Sequence, residues 1–558
     1  MDESRVRRLT NWVPELLLVL IVWMSFFAAL GEMDVWGRRE QRLAAEVVDT
    51  LNGNWIVAYL KGQPRLEKPP LCRWLGALSM LLTGRRDEFA LRLPFALGGA
   101  ITVLVLYLWG TQAHGRIAGL GAAVVFCTFS QVVAELRQGS ADALLVPLTT
   151  ASLWFWWQSE ANRSERVVRR YRLLSGLCAG LGVLAKGPVA IMIILIAIGV
   201  YAAVARVNVR PRLLDGRWWL AASLTALPWP VLVAVHMPRA ILVWGYEMGL
   251  KLGAVPEPEV HRSLPLLLRF PELIVPWIPL AIAGALLPVV HRSTAGAFKT
   301  DRRWWLVWGW AIGNLVVFSF WKIAKPSYYL PCLPAIGLLC GLAWATIVRA
   351  ATDGLLHWRQ KLVLITQWGL FALAGPGLLG AAYVVEQRYL WVAGIVFAAG
   401  LAAWNLATVR WSKPDGLAWL GLCHAVLAVA IFNVVLPSMD RHHSHRNLAR
   451  SAEELRSKLG VPLLAMPNTE ESVWFYMDRP PRPVRNARQV ARIASRNGTA
   501  LVIGDVRDIR RLQGLTEIEV EPLIDQSGRE GRKGLIVASV RPTTRETARH
   551  NGFGNSTR

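Results

Sequence analysis

Apolar runs of about twenty residues recur along almost the whole chain, and nothing else constrains its fold as strongly. A helix crossing a bilayer core needs roughly 20 mainly apolar residues, because each residue adds about 1.5 Å of rise to a core about 30 Å thick. Runs of that kind fall near 12–31, 92–112, 117–135, 141–158, 172–185, 188–205, 218–236, 264–289, 304–321, 328–348, 361–384, 389–409 and 416–436. They predict about thirteen transmembrane helices, with 172–185 short enough for a half-span. The 558 residues are 54% hydrophobic, with a mean hydropathy of +0.35, which excludes an ordinary soluble protein. The first run is long for a signal peptide and lacks a small-x-small cleavage site, so it reads as an anchor.

The net charge of +24 does not point to nucleic acid. Its arginines sit largely in short turns between apolar runs, where positive charge sets topology and meets lipid headgroups. With Arg5, Arg7 and Arg8 in the cytoplasm, alternate turns carry most of the charge: Arg163 to Arg172, Arg206 to Arg217, Arg292 to Arg303, Arg349 to Lys361, and Arg410 with Lys413. An odd number of spans then puts residues 437–558 on the outer face. Twenty-seven tryptophans suit repeated visits to membrane interfaces. Six scattered cysteines form no CxxC, so neither a disulfide framework nor a structural zinc site is indicated.

The division predicted is a multi-span domain over 1–436 and a soluble α/β domain over 437–558. In the second, helical signals at 449–459 and 487–497 alternate with β-like runs at 462–465, 500–503 and 534–540. The first outer loop, 32–91, is the long polar interruption of the membrane domain. Helices near 40–52 and 69–82 repeat Leu43, Val47, Leu51 and Leu71, Leu75, Leu78, Leu82 at helical spacing, so each is expected to lie flat with one face in lipid.

Several motifs follow one another across about 34–334. Asn54-Trp55-Ile56-Val57, Lys61-Gly62, Leu66-Glu67-Lys68-Pro69-Pro70-Leu71 and Arg92-Leu93-Pro94 come first. Ala141-Asp142-Ala143-Leu144, Leu184-Ala185-Lys186-Gly187-Pro188, His261-Arg262-Ser263-Leu264-Pro265 and Lys325-Pro326-Ser327-Tyr328-Tyr329-Leu330-Pro331 come after. Together they resemble the GT-C glycosyltransferases, specifically the bacterial aminoarabinose–lipid A transferase and protein O-mannosyltransferase family. The resemblance implies transfer of a sugar from a polyprenyl-phosphate donor to a lipid, glycan or protein acceptor at the outer face of the bacterial inner membrane. It also implies lipid A modification or protein glycosylation as the setting. One position departs: that family begins its loop with an Asp-Glu-x-x-Arg-like element, and this chain reads Arg39-Glu40-Gln41-Arg42.

Sugar transfer from a lipid phosphate needs a carboxylate to take the acceptor's proton and cations to hold the leaving phosphate. Glu40 and Asp34 are the candidate bases; an ion pair or a helix N-terminal charge is the alternative reading of Glu40. Lys68, held before two prolines, is the leading phosphate ligand, with Arg42, His261, Arg262 and Lys325 beside it. Glu67, Asp142, Lys186, Tyr328 and Tyr329 are candidates for acceptor contact or for supporting roles. Asp142 with Lys186 also suits a buried structural pair, and the tyrosines an interfacial belt. The tract His442-His443-Ser444-His445 reads as a solvated linker more readily than as a metal site, so no metal ligand and no cofactor is assigned. Two other readings stay open. One is a catalytically degenerate relative that binds lipid-linked sugar, favoured by Arg39. The other is a lipid-linked sugar transporter, disfavoured because no inverted repeat is visible.

Overall fold

The computed structural model describes residues 12–35, 37–252, 266–290, 295–321, 325–370, 416–430, 445–525 and 534–543. They form two compact units, Met1–Gly31 with Leu66–Val435, and Glu32–Arg65 with Leu436–Arg558. The chain therefore divides inside the first polar loop, at Arg65/Leu66, as well as near residue 436.

The first unit is helical throughout its described part. In hydrocarbon every backbone N–H and C=O must be paired within the protein, and a helix achieves this within one segment. Glu88–His114 and Pro326–Thr352 are each long and apolar enough to cross a membrane. Three further apolar pairs are bent at a break: Arg116–Cys127 with Ser130–Leu136 by 64°, Arg210–Ala226 with Pro228–His236 by 43°, and Leu267–Ile274 with Ile278–Val289 by 115°. Among the described residues the spans that meet this test thus number two, or five if each bent pair counts as one. The expected run at 389–409 lies outside the described residues, as do 371–384 and 431–436. Some expected runs are broken for local reasons: Pro228 starts a new helix after Leu227, and Gly309–Gly313 makes a π turn between Trp304–Trp308 and Asn314–Phe320.

Small residues let these helices approach. A Cβ placed on Gly341 would lie 2.6 Å from the Ala122 amide nitrogen, and one on Gly121 would lie 3.1 Å from Gly341 Cα. Glycine is what allows backbone to meet backbone there. Tryptophans fill the space behind. Trp109 stacks on Trp310 at 6.1 Å and meets Trp157 edge-on at 5.4 Å, all three buried. Interface enrichment therefore accounts for only part of the tryptophan content; many of these rings are core.

The second unit is an α/β layer structure. Its sheet runs β4-β3-β5-β7-β6, where β3 is Leu463–Ala465, β4 Arg482–Pro483, β5 Ala500–Asp505, β6 Ile518–Asp525 and β7 Leu535–Pro542. Strands β3, β4 and β5 are parallel, with Leu463 opposite Leu501. Strand β7 runs antiparallel to both β5 and β6, and β6 has an irregularity between Pro522 and Ile524, suited to an edge strand. Apolar side chains fill both faces. One face carries Val490 and Ala494 of the helix Ala487–Asn497, which Asn486 caps by accepting from the Gln489 amide and which stops at Gly498, φ +74°. The other face carries Leu448 and Ala449 of His445–Leu459, Trp474 of Ser472–Tyr476, and Ala45 from the first loop.

That last residue corrects an expectation. The helix Gly37–Leu51 buries Leu43, Ala44, Ala45, Val47 and Val48, and Ala45 joins the core of the sheet domain. Its amphipathic face is thus turned into protein and not into lipid. The second loop helix, Leu71–Thr83, keeps Leu78, Leu81 and Leu82 exposed, as a helix lying in an interface would. Between them a hairpin pairs β1, Tyr59–Leu60, with β2, Gln63–Pro64. Its two turn residues, Lys61 and Gly62, both have positive φ, at 52° and 77°, the backbone a tight two-residue hairpin turn requires.

Candidate active site

In the second unit the first loop brings its charged residues against groups more than 400 positions away. Asp34 is almost fully buried. Its Oδ1 lies 3.0 Å from Arg446 Nε, and its Oδ2 accepts from the Arg446 backbone N–H at 3.3 Å. The next amide, of Val35, donates to the Tyr476 hydroxyl at 2.9 Å. Asp34 is therefore a carboxylate already engaged by a guanidinium. Glu40 is buried at 1% exposure on the first turn of its helix, whereas Arg38 and Arg39 on the same turn are exposed. Glu40 is thus a buried carboxylate directly after the exposed Arg39.

Arg42 is partly exposed, with its Nε 3.6 Å from Glu471 Oε1. The same Glu471 oxygen lies 3.7 Å from Lys61 Nζ. Lys61 in turn donates to Thr469 O at 2.6 Å and Pro467 O at 3.1 Å, and faces the Trp474 ring at 5.7 Å. Asp49 holds the hairpin by accepting from the Tyr59 amide at 2.6 Å and the Asn54 side chain at 2.9 Å. Behind this cluster, burial and then the Asp505 carboxylate push the Asp508 carboxyl above its ordinary value, against hydrogen bonding from Asn468.

In the first unit the structure brings together residues from three distant stretches. Lys186, the last residue of its helix before Gly187 turns at φ +85°, donates to Asp142 Oδ1. Ser327 Oγ reaches Asp142 Oδ2 at 3.5 Å, and the Lys186 ammonium lies 4.2 Å from the centre of the Tyr328 ring. Ser140 caps the Asp142 helix by accepting from the Ala143 amide. A buried ion pair of this kind, supported by a hydroxyl and an aromatic face, is satisfied as it stands.

The other candidates in this unit separate by exposure. Lys68 is exposed and Glu67 half-buried, just before the helix that Pro70 begins. Lys325 is exposed. Tyr329 is fully buried, its hydroxyl 2.7 Å from Ser319 Oγ and its ring edge-on to Phe270, so it packs the interior. His261 and Arg262 lie outside the described residues, as do His442 and His443. His445 is described and bonds Ser472 Oγ at 2.8 Å. Among the described residues no group of three or more His, Cys, Asp or Glu could hold a metal ion.

Sequence reasoning missed Arg446, Glu471 and Tyr476. No spacing rule joins a loop at 34–61 to side chains at 446–476. Ser327 stood within a quoted motif but was given no role.

The family described as dolichyl-phosphate-mannose-protein mannosyltransferase matches residues 67–236. An undecaprenyl phosphate-alpha-4-amino-4-deoxy-L-arabinose arabinosyl transferase of Pseudomonas aeruginosa (strain LESB58) is 26% identical over 445 residues, 75% of this chain and 76% of that protein. Its counterpart from Pectobacterium carotovorum subsp. carotovorum (strain PC1) is 26% identical over 79% of each chain. The crystal structure of ArnT from Cupriavidus metallidurans bound to undecaprenyl phosphate superposes with a TM-score of 0.76 at 18% identity, covering 95% of this chain and 98% of that one. The chain has the mostly helical membrane fold of the GT-C glycosyltransferases. Within that class it resembles the aminoarabinose transferase and dolichyl-phosphate-mannose-protein mannosyltransferase family.

Proposed function

We propose that this protein is an enzyme of the bacterial inner membrane that transfers a sugar from a polyprenyl-phosphate donor to a lipid acceptor. One observation carries the reading. The 26% identity to undecaprenyl phosphate-aminoarabinose transferases runs through three quarters of this chain and of theirs. In the topology proposed, about thirteen helices cross the membrane. The N-terminus is cytoplasmic, and the sheet domain is periplasmic.

The chemistry asked of the chain is a displacement at the anomeric carbon. An acceptor hydroxyl or phosphate loses its proton to a carboxylate and attacks. The bond from sugar carbon to donor phosphate oxygen breaks, and polyprenyl phosphate leaves with one more negative charge than the donor carried. Glu40, buried on the first turn of its helix, is favoured as the base, with Asp34 the second candidate. Lys68, Arg42 and Lys325 supply exposed or partly exposed positive charge for the phosphate, and His261 and Arg262 are proposed to join them. Glu67 is proposed to contact the acceptor. Asp142, Lys186 and Tyr328 support the site as a preformed cluster.

Arg39 favours a second reading, in which the chain binds lipid-linked sugar without transferring it. Both are tested by incubating purified protein in lipid nanodiscs with a defined polyprenyl-phosphate sugar and a lipid A acceptor. The assay compares the wild type with Glu40→Gln and Asp34→Asn. Transfer lost in Glu40→Gln and kept in Asp34→Asn supports the assignment of the base. Donor binding with no transfer and no hydrolysis by the wild type replaces the first reading with the second.

A further inference from the structure

Among the described residues, Arg42 is anchored along one edge: its Nε is buried with no hydrogen-bond partner there, 3.6 Å from Glu471 Oε1, while 39% of the side chain stays exposed. A guanidinium held through Nε still has its two terminal nitrogens, the pair that binds a phosphate in parallel. The carboxylate that holds it comes from the sheet domain, at the cap of the helix Ser472–Tyr476. Glu471 is itself held by Lys61, whose ammonium is fixed on two backbone carbonyls and over Trp474. Lys61 reaches these acceptors from a turn whose backbone is bent to positive φ. A non-glycine residue adopts that conformation at a cost, and the two carbonyl bonds help offset it. Two cations thus share one carboxylate, leaving local positive charge beside a side chain that is partly open to solvent.

We propose that Glu471 is a positioning residue for the donor: locked by Lys61, it sets the Arg42 guanidinium to receive the donor phosphate. The proposal rests on the reading of Arg42 as a phosphate ligand. It gives the sheet domain a task in the reaction, that of fixing the charge geometry of the first loop. It also makes a prediction opposite in sign to simple electrostatics. Removing a negative charge beside an anion site strengthens anion binding by charge alone. Removing a positioning carboxylate weakens it, because the guanidinium must then be ordered at the moment of binding.

The experiment measures undecaprenyl phosphate binding and donor kinetics for the full chain in nanodiscs. The variants are Arg42→Ala, Glu471→Gln, Glu471→Asp, Lys61→Met and Lys61→Arg, with the double variant Arg42→Ala/Glu471→Gln. Arg42→Ala is expected to weaken binding about tenfold or more, and Glu471→Gln about three- to tenfold. The double variant should be no weaker than Arg42→Ala alone, since the carboxylate acts through the guanidinium. Lys61→Met should raise the donor KM, and Lys61→Arg should recover most of that loss. Should Glu471→Gln fail to fold, Glu471→Asp carries the test: it keeps the charge, withdraws it by one methylene, and should also weaken binding. Glu471→Gln binding as tightly as the wild type, or tighter, overturns the proposal while Arg42 keeps its role. Arg42→Ala binding normally in an active enzyme overturns it and removes Arg42 from the phosphate site. A wild type that neither binds nor transfers from the lipid sinks the proposed function itself.

Discussion

Asp34 and Arg446 stand 412 residues apart in sequence and meet at 3.0 Å. This ion pair, with the Val35 amide bonded to the Tyr476 hydroxyl, ties the start of the first loop to the sheet domain. Removing one hydrogen-bonded partner typically costs about 1 kcal/mol, equal to a factor of about five in an opening equilibrium. Tyr476→Phe should therefore speed hydrogen exchange at Val35 about fivefold. Exchange by mass spectrometry reads this directly, and unchanged protection at Val35 would show that the bond does not hold the segment.

The Asp142–Lys186 pair should behave as a buried salt bridge. Its side chains are 7% and 17% exposed, so breaking one side leaves a nearly buried charge. Lys186→Met alone should destabilise by about 3 kcal/mol. Lys186→Met with Asp142→Asn should recover more than half of that, because neither charge is then left unpaired. Thermal unfolding in detergent compares the wild type, Lys186→Met, Asp142→Asn and the double variant. A double variant as unstable as the sum of its singles would deny the coupling.

Asp508 gives a pH signature. Its folded carboxyl is held above the ordinary 3.8 by burial and by Asp505. The folded state therefore binds this proton more tightly than the unfolded chain does. The contribution is fully present below 3.8 and is lost as pH rises through the raised folded value. The melting temperature of the wild type relative to Asp508→Asn should accordingly fall as pH increases across that window and level off above it. A difference that rises with pH would mean the carboxylate is net stabilised in the fold.

Much of this was legible in the residues. Asn486 and Gly498 bracket a helix at Ala487–Asn497, and an apolar run at 500–503, ending in the β-branched Val502 and Ile503, marks a central strand. The Lys61-Gly62 turn is readable too, since a glycine there suits a hairpin. The short strand β4 and the helix Ser472–Tyr476 were not, because two to five residues carry no periodicity. The helix Gly37–Leu51 shows the deeper limit. Its pattern correctly gives an amphipathic helix, but amphipathicity does not say whether lipid or a sheet domain covers the apolar face. At the candidate site, motif order picked out Asp142 and Lys186, which the structure pairs. Glu471 stood in no motif, and its partners Arg42 and Lys61 come from a loop about 400 residues earlier, so only the fold could join them.

The chain is proposed to move a sugar off a polyprenyl phosphate, with Lys68 helping to hold the phosphate as it leaves. A charge-assisted contact of that kind is worth roughly 1.5–3 kcal/mol, or about 10- to 150-fold in kcat/KM. The direct measurement follows the lipid by mass spectrometry: donor consumed, polyprenyl phosphate released and acceptor gaining the sugar mass. Wild type should release polyprenyl phosphate in step with acceptor modification, and Lys68→Ala should do so about 10- to 150-fold more slowly at low donor concentration. Donor bound and recovered intact by the wild type, or equal rates for wild type and Lys68→Ala, would contradict it.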